Sequence, residues 1–182
     1  MDNDVDQALV ERYRAGDREA FTELVVRYQR PIYNAAFWML RRAEDANDVA
    51  QEVFLKVSER LDDYDPRYKF FSWIYRIAVN ESLNMLRRSR REEALDDEID
   101  IPAPDSANPE LQVGNAELSR RIQSTLMKMS TNDRTVITLR HFSELSYEEI
   151  GQVLDLDEKT VKSRLFEARH RLGDLLKDLR NR

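Results

Sequence analysis

The sequence contains no cysteine and little glycine or proline. Its 182 residues include four Gly and five Pro. Without cysteine the chain can form no disulfide bond, no reactive thiolate and no cysteine-ligated zinc site. The glycines stand at positions 16, 114, 151 and 173, too scattered for a glycine-rich phosphate-binding loop. The sequence also gathers its carboxylates in no obvious pocket, so we predict a protein that is not an enzyme.

Long hydrophobic runs are absent as well. No apolar stretch approaches the roughly 18 residues of a membrane span, and the N-terminal MDNDVDQALV is polar and acidic, unlike a signal peptide. No pair of histidines has metal-ligand spacing, and His141 and His170 are interpreted as polar surface residues. We therefore expect a soluble, cytoplasmic protein with no metal, no cofactor and no small-molecule substrate.

Charge is distributed unevenly along the chain, whose net charge is −6. Residues 92–110 hold eight acidic groups and no basic one, whereas residues 157–182 have an excess of three basic groups. The acidic segment contains three prolines, which is typical of an extended linker. We predict an all-α protein of two small helical domains, residues 1–91 and 111–182. The linker of residues 92–110 either stays solvated or competes with nucleic acid for basic faces.

The first helices are predicted around two breaks. Helices are expected over residues 6–14 and 18–28, separated near Gly16, with Asp17 capping the second helix. Pro31 permits a new helix to start.

An exposed leucine is predicted on the helix within AEDANDVAQEVFLKVSERL. The buried face of this helix is expected to comprise Val49, Ala50, Val53, Phe54, Val57 and Leu61. Leu55 falls on the opposite side, among Asp48, Gln51 and Glu52. An apolar side chain ringed by acids and an amide is typical of a protein-docking surface. A solitary exposed leucine of no functional meaning is the alternative.

Aromatic residues crowd into residues 64–75. They are Tyr64, Tyr68, Phe70, Phe71, Trp73 and Tyr75, interleaved with Arg67, Lys69 and Arg76. Trp73 fits a buried helical stripe, but six rings exceed what one small helix is expected to bury. Rings beside cations hold unstacked single-stranded bases and their phosphates. The following Arg87, Arg88, Arg90 and Arg91 suit a phosphate backbone. An aromatic core with a solvated basic end is the alternative.

A helix-turn-helix is predicted over residues 146–172. Ser146 and Glu149 have the spacing of a capping box at the start of its first helix. Only two residues separate that helix from Asp157, which can cap the second helix. So short a connection makes the two helices cross steeply, as in DNA-binding motifs.

The second helix turns Phe166 away from its own apolar seam. The seam comprises Val161, Leu165, Ala168 and Leu172, at spacings of four, three and four. Phe166 lies opposite the seam beside Lys159, and because phenylalanine is mostly buried in proteins it requires a partner there. The neighbouring cations indicate DNA. An α-hairpin with a solvated charged face is the alternative.

Four segments in this order resemble bacterial RNA polymerase sigma factors of the sigma-70 superfamily, extracytoplasmic function (group IV) type. They are AGDREAFTELVVRY, EDANDVAQEVFLKV, FFSWIYRIAVN with its basic tail, and TVITLRHFSELSYEEIGQVLDLDEKTVKSRLFEARHRL. The resemblance implies two helical domains, called region 2 and region 4. It also implies binding to core RNA polymerase and to promoter DNA, and control by an anti-sigma factor.

The resemblance further implies roles for three sets of residues. Docking to the polymerase β′ coiled coil falls to Asp48, Gln51, Glu52 and Leu55, and region 4 is expected to contact the β flap. Binding of the melted −10 element, including a base captured by the loop of residues 62–69, falls to Tyr64, Arg67, Lys69, Phe70, Trp73, Arg76, Asn80, Arg87 and Arg88. Binding of the −35 duplex falls to Lys159, Thr160, Lys162, Ser163, Arg164, Phe166, Glu167, Arg169 and His170.

The chain departs from the family pattern at three positions. Glu167 stands where many members carry a cation, so it would repel phosphate or accept a hydrogen bond from a cytosine amino group. Gly151 replaces a usual Ala and is expected to cost roughly 1 kcal/mol of helix propensity. Asp155 replaces a usual Gly in the turn. A plain helix-turn-helix regulator would account for residues 146–172 but not for Leu55 or the aromatic tract.

Overall fold

The computed structural model describes residues 3–93 and 116–180, and these residues form an all-α architecture. The helices are α1 (Asn3–Arg14), α2 (Arg18–Leu40), α3 (Ala43–Arg60), α4 (Phe70–Glu93), α5 (Ala116–Lys128), α6 (Thr131–Ile137), α7 (Tyr147–Leu154) and α8 (Glu158–Arg180). A 3-10 turn follows α3 at Leu61–Asp63, and a π-helical turn follows α6 at Thr138–Phe142. No strand occurs in these two ranges, so the predicted fold class is confirmed. Beyond its first two residues, the predicted acidic linker lies outside the described residues.

Helices α1 to α4 pack around one apolar core. The buried residues of α3 follow the predicted periodicity, since Val49, Val53 and Val57 are almost fully buried, as is Leu61 in the turn after the helix. Ala50 and Phe54 are partly buried against the same core. The opposite side of α3 therefore faces outward, as expected.

The break between α1 and α2 is confirmed, whereas the predicted helix start at Pro31 is wrong. The Asp17 carboxylate accepts a hydrogen bond from the Glu19 amide at 3.0 Å and caps α2. Helix α2 then runs without interruption from Arg18 to Leu40, with Pro31 inside it. A proline inside a helix removes one backbone hydrogen bond. The apolar residues beyond it, Ile32 and residues 35–40, compensate because they are buried in the core.

The helix-turn-helix of α7 and α8 is confirmed in detail. Ser146 and Glu149 form a reciprocal capping box at the start of α7. Asp155 ends α7 in the left-handed conformation, with φ of 56°. The Thr160 amide donates to the Asp157 carboxylate at 2.7 Å, so Asp157 caps α8. Val161, Leu165 and Ala168 are buried and Leu172 is partly buried, which matches the predicted seam.

The two halves of the chain contact each other directly. The rings of Trp38 and Phe142 are stacked with their centroids 3.7 Å apart. The buried Arg134 guanidinium donates to the Met39 carbonyl at 2.7 Å. Because Met39 lies in the last turn of α2, this bond satisfies a carbonyl that the helix cannot pair internally. The described residues 116–180 thereby lie against α2 and α4.

Gly151 has a steric role that helix propensity does not indicate. A Cβ atom at this position would lie 2.6 Å from the Leu156 carbonyl oxygen. Glycine at position 151 therefore permits the close turn between α7 and α8. This contact adds a steric role to the helix-propensity cost that the sequence predicts.

We expect Gly151→Ala to destabilise the protein by about 1–3 kcal/mol, because the Leu156 backbone must move to accommodate the methyl group. Gly173 offers a matched control, since a Cβ atom there would meet nothing within 4 Å. Gly173→Ala in α8 is expected to stabilise the chain by up to about 1 kcal/mol through helix propensity. Urea unfolding followed by circular dichroism measures both changes. Equal effects of the two substitutions would contradict the steric role.

Candidate nucleic-acid and protein interfaces

The outward face of α8 carries an exposed aromatic ring. Phe166 is 66% exposed, because its neighbours on the opposite face are fixed in the core. The His170 ring packs against it with a centroid separation of 5.3 Å. Lys159 and Ser163 are also exposed on this face. Thr160 is half-buried, and its hydroxyl donates to the Asp157 carboxylate at 2.7 Å.

Two of the predicted −35 cations already have partners in the structure. The Lys162 ammonium lies 2.6 Å from the Glu158 carboxylate and 5.6 Å from the centroid of the Tyr147 ring. The Arg169 Nε donates to the His141 Nε2 at 3.2 Å. Both side chains remain exposed. These partners limit the orientations of the two cations beside the Phe166 face.

Glu167 belongs to a chain of charged contacts between α6 and α8. Its carboxylate accepts from Arg171 at 3.1 Å. The same Arg171 donates to both carboxylate oxygens of Asp133, at 2.7 and 2.8 Å. Because Arg171 compensates its charge, Glu167 repels a nearby phosphate less than its position in the sequence indicates.

Arg164 lies on a different side of α8. It lines a cleft together with Asn80 and Arg76 of α4, so it faces the first half of the chain. Arg164 and Asn80 are both exposed. In this arrangement Arg164 is separated from the Phe166 face, and its predicted contact with the −35 duplex stays a prediction.

The predicted polymerase-docking surface on α3 is exposed. Leu55 is 53% exposed, with Asp48 and Gln51 also open to solvent and Glu52 half-buried. Lys56 lies between two carboxylates, 3.2 Å from Glu52 and 2.7 Å from Glu81 of α4. The Glu81 carboxylate is the main cause of a raised pKa of Lys56. The burial of Val53 and Val57 on the opposite face directs Leu55 outward.

The aromatic tract is mostly core, which corrects the expectation that six rings are too many to bury. Tyr64, Phe70, Phe71 and Tyr75 are each at most 4% exposed. Phe70 is the centre of the cluster, with the Tyr28, Tyr64 and Trp73 centroids 5.4 to 5.8 Å away. The other helices contribute enough surface to enclose rings that α4 alone could not bury. The prediction that Phe70 and Tyr64 contact DNA bases directly is therefore wrong, because both rings are buried.

The rings that remain accessible line, together with Arg76, a cleft of about 700 Å³ between the loop of residues 61–69, α4 and α7. Tyr68 is 55% exposed and Trp73 is half-buried, and both line this cleft. Arg67 is exposed and pairs with Asp65 at 2.6 Å. Tyr64 also borders this cleft, and its hydroxyl donates to the Tyr68 carbonyl at 2.7 Å.

Helix α7 covers part of this predicted strand-binding surface. The Lys69 ammonium lies 3.0 Å from the Glu149 carboxylate. The Ser72 hydroxyl donates to the Gln152 side-chain oxygen at 2.8 Å. The Arg76 guanidinium donates to the Gln152 backbone carbonyl. Two of the predicted −10 cations are thus occupied by the helix-turn-helix.

The basic end of α4 is open to solvent where its side chains are described. Arg87, Arg88 and Arg91 are exposed, and Arg87 donates to the Asn84 side chain at 3.1 Å. The Arg90 side chain lies outside the described part of the structure. This end therefore offers three accessible cations beyond the aromatic tract.

Sequence reasoning missed the contacts between distant segments. The loop of residues 61–69 and the first residue of α4 are held by three side chains of α1, those of Arg14, Gln7 and Asn3. These side chains lie 47 to 67 residues away in the sequence. Gln152 and Phe142 likewise contact residues far away in the sequence, Ser72 and Trp38 of the first half of the chain. No local spacing distinguishes these side chains from ordinary surface residues, so only the packed structure identifies them.

Metal-ligating side chains are not clustered within residues 3–93 and 116–180. No group of three or more His, Cys, Asp or Glu there could hold a metal ion. None of the helices described is long and apolar enough to cross a membrane.

Two family models match the chain. The model described as Sigma-70 region 2 matches residues 24–92, and the model described as Sigma-70, region 4 matches residues 119–172. Together they span more than half of the sequence, and each falls on one of the two halves described above.

Curated proteins and solved structures are similar over nearly the whole chain. The ECF RNA polymerase sigma factor SigW of Bacillus subtilis is 35% identical, covering 93% of this chain and 96% of that protein. The ECF RNA polymerase sigma-E factor of Escherichia coli is 37% identical, covering 96% and 95%. The structure of CnrH in complex with the cytosolic domain of CnrY has a TM-score of 0.75 at 30% identity, covering 96% and 98%. RpoE of Bartonella quintana, solved with the anti-sigma factor NepR, has a TM-score of 0.72 at 26% identity, covering 86% and 96%.

The contact between His141 and Arg169 predicts a pH dependence of stability. Burial, Arg169 and Arg140 lower the pKa of His141 below its usual 6.5. The unfolded chain therefore binds this proton more readily than the folded chain does. The contribution of His141 to stability is fully present above pH 6.5 and decreases as the pH falls towards the lowered pKa.

We expect His141→Ala to remove this part of the pH dependence, so that its melting temperature approaches that of the wild type as the pH falls from about 7.5 to about 5.5. His170→Ala is the matched control, because His170 contacts Phe166 and not a described cation. Thermal unfolding measured across this range compares the three proteins. A constant difference between the wild type and His141→Ala would contradict the assignment.

Proposed function

The chain belongs to the extracytoplasmic function sigma factors of the sigma-70 family, and on this premise we propose how its surfaces divide the work of promoter recognition. The α3 surface around Leu55 binds core RNA polymerase. The α8 face around Phe166 binds the −35 duplex. The accessible part of the tract around Trp73 binds the melted −10 strand. The chain itself catalyses no reaction, and it acts in the cytoplasm, where polymerase and promoter DNA are located.

One observation carries this division: Leu55 and Phe166 are both large, apolar and more than half exposed, on opposite halves of the chain. A single exposed apolar side chain does not require a partner, so the groups around Leu55 and Phe166 decide the assignment. Leu55 is surrounded by acidic and amide groups, which suits a basic protein surface. Phe166 is surrounded by lysine, serine and histidine, which suits a DNA groove and its phosphates.

The proposed boundaries place region 2 in residues 1–91 and region 4 in residues 111–182. Residues 92–110 connect them, with eight acidic groups and no basic group. Fewer of the predicted −10 residues are accessible than the sequence indicated, so we assign a role in strand binding to only some of them. We assign strand contact to Arg67, Tyr68 and Trp73, and phosphate contact to Arg87 and Arg88. Lys69 and Arg76 add phosphate contacts only when they are released from α7.

The contact between the halves must open before the −10 strand can bind fully. Lys69 and Arg76 cannot reach phosphates while they are bonded to Glu149 and Gln152 of α7. The Phe166 face and the Leu55 surface, by contrast, are accessible in the closed arrangement. We propose that polymerase and duplex DNA engage the closed chain first, and that the strand binds after the halves separate.

We also propose control by an anti-sigma factor. This proposal is supported by RpoE, the solved structure of similar fold that contains the anti-sigma factor NepR. A partner of this kind would act on the present chain by keeping the halves together or by covering Leu55.

Leu55→Asp tests the polymerase-docking surface. We expect it to weaken binding to core RNA polymerase by roughly thirtyfold or more, since a central apolar contact contributes about 2 kcal/mol or more. Run-off transcription from a promoter library should fall in parallel. Val26→Asp is the control, because Val26 is 64% exposed on α2 and outside this surface. Wild-type polymerase binding by Leu55→Asp would overturn the assignment.

Phe142→Ala tests the contact between the halves. Loss of the stack on Trp38 removes about 0.5–1.5 kcal/mol beyond the buried area, so the halves should separate more often. The chain contains no cysteine, so dyes can be attached through Glu59→Cys and Asp174→Cys. Energy transfer between the dyes should decrease and affinity for single-stranded DNA should increase. Phe166→Ala, which removes an equally large ring outside the contact, should leave energy transfer unchanged.

A further inference from the structure

The loop of residues 61–69 has few backbone hydrogen bonds of its own. The Tyr64 amide donates to the Leu61 carbonyl at 3.2 Å, and the Tyr68 amide donates to the Asp65 carbonyl at 3.1 Å. Neither bond pairs the loop with another segment. The conformation of the loop therefore depends on side-chain contacts from other segments, above all at Leu61 and Tyr64, which are buried.

Arg14 of α1 supplies several of these contacts at once. Its Nη2 lies 2.7 Å from the Leu61 carbonyl oxygen, 3.0 Å from that of Tyr64 and 3.3 Å from that of Asp62. The Arg14 side chain is 32% exposed, and its Nε lies 3.8 Å from the Asp62 carboxylate. A single guanidinium group therefore bonds both ends of the turn from Leu61 to Tyr64, with which the loop begins.

Two further residues of α1 hold the rest of the loop. The Gln7 amide donates to the Pro66 carbonyl at 2.7 Å. The Asn3 side-chain oxygen accepts from the Phe70 amide, the first of α4, at 3.2 Å. Positions 3, 7 and 14 fall within about 40° of one another on a helix of 3.6 residues per turn. A single stripe of α1 therefore holds the loop at its start, middle and end.

Helix α1 is itself anchored to the core. Asp6 is fully buried, and its carboxylate accepts from the Tyr28 hydroxyl and from the Arg27 Nε, the latter at 3.0 Å. The Tyr28 ring contacts Phe70 with a centroid separation of 5.5 Å. A displacement of α1 would break these buried contacts, so the stripe is a rigid support for the loop.

We propose that α1 is a clamp that sets the conformation of the strand-binding loop, with Arg14 as its principal positioning residue and Gln7 and Asn3 as its further contacts. This inference rests on the proposed function of the loop. Arg14 bonds the carbonyls of Leu61 and Tyr64, which are core residues. Arg67 and Tyr68, by contrast, are exposed and add little to the core, so stability alone does not require the backbone of these two residues to be fixed. Presenting them to a strand does require it, because ordering the loop during binding would reduce affinity. Helix α1 lies outside residues 24–92, the segment that the region 2 family model matches.

The test uses holoenzyme assembled from core RNA polymerase and the full chain. The probe is a pool of single-stranded DNA of random sequence, from which wild-type holoenzyme selects preferred strands. Arg14→Ala is expected to bind the selected strands roughly tenfold more weakly, the order expected when a charged hydrogen-bond donor is lost. It should also select strands with a weaker base preference, while its affinity for core polymerase is unchanged. Arg14→Lys should restore part of the affinity, because an ammonium can still reach one or two of the carbonyls.

Three companion variants make the result decisive. Arg18→Ala is the matched control, because Arg18 is an exposed arginine lining the same surface groove as Arg14 without a described bond to the loop. Gln7→Ala removes only the Pro66 contact and tests the clamp even if Arg14→Ala fails to fold. Arg67→Ala tests the strand-binding function of the loop independently.

Weaker strand binding and base preference in Arg14→Ala or Gln7→Ala, with Arg18→Ala unaffected, supports the clamp. Wild-type strand binding by both clamp variants, with Arg67→Ala impaired, overturns the clamp and leaves the proposed function intact. Wild-type strand binding by Arg67→Ala as well as by the clamp variants overturns the function proposed for the loop, and the clamp with it.

Discussion

The packing of the Phe70 ring is the interaction on which the first half of the structure depends. The ring is fully buried and meets Tyr28 of α2, Tyr64 of the loop and Trp73 of α4. Tyr28 in turn bonds the buried Asp6 of α1. One aromatic cluster therefore joins three helices and the loop that carries Arg67. A large ring buried at such a junction contributes several kcal/mol, since replacing a buried Phe by Ala costs about 3–5 kcal/mol.

This core also decides which side chains are available for binding. Rings that are needed to fill the space between helices cannot stack on DNA bases, because close-packed interiors leave no room for them to turn outward. Trp73 and Tyr68, at the edge of the cluster, retain accessible surface beside the cleft. The strand-binding surface is thus the exposed rim of a cluster whose centre is structural. The same division applies to α3, where Val53 is buried and Leu55 is exposed.

Local patterns predicted the helices and their ends well. The caps at Asp17, Ser146 and Asp157 involve neighbouring residues, so their spacing in the sequence is also their spacing in space. The outward directions of Leu55 and Phe166 follow from helical periodicity for the same reason. The predictions that were wrong concern longer distances. Pro31 stays within α2 because a buried apolar face compensates for the lost hydrogen bond, and periodicity within α4 could not reveal how many rings the neighbouring helices enclose.

The sequence by itself determined the helical fold, the helix-turn-helix, the family and the two exposed apolar side chains, since these depend on residues close together in the chain. Only the tertiary structure decided which aromatic rings are core and why position 151 is glycine. It also decided which cations α7 covers, and that Arg14 supports a loop 47 residues away. The physical reason is that these outcomes depend on burial and on hydrogen bonds between segments far apart in sequence. Such contacts have no periodicity, and they exist only when the helices are packed together.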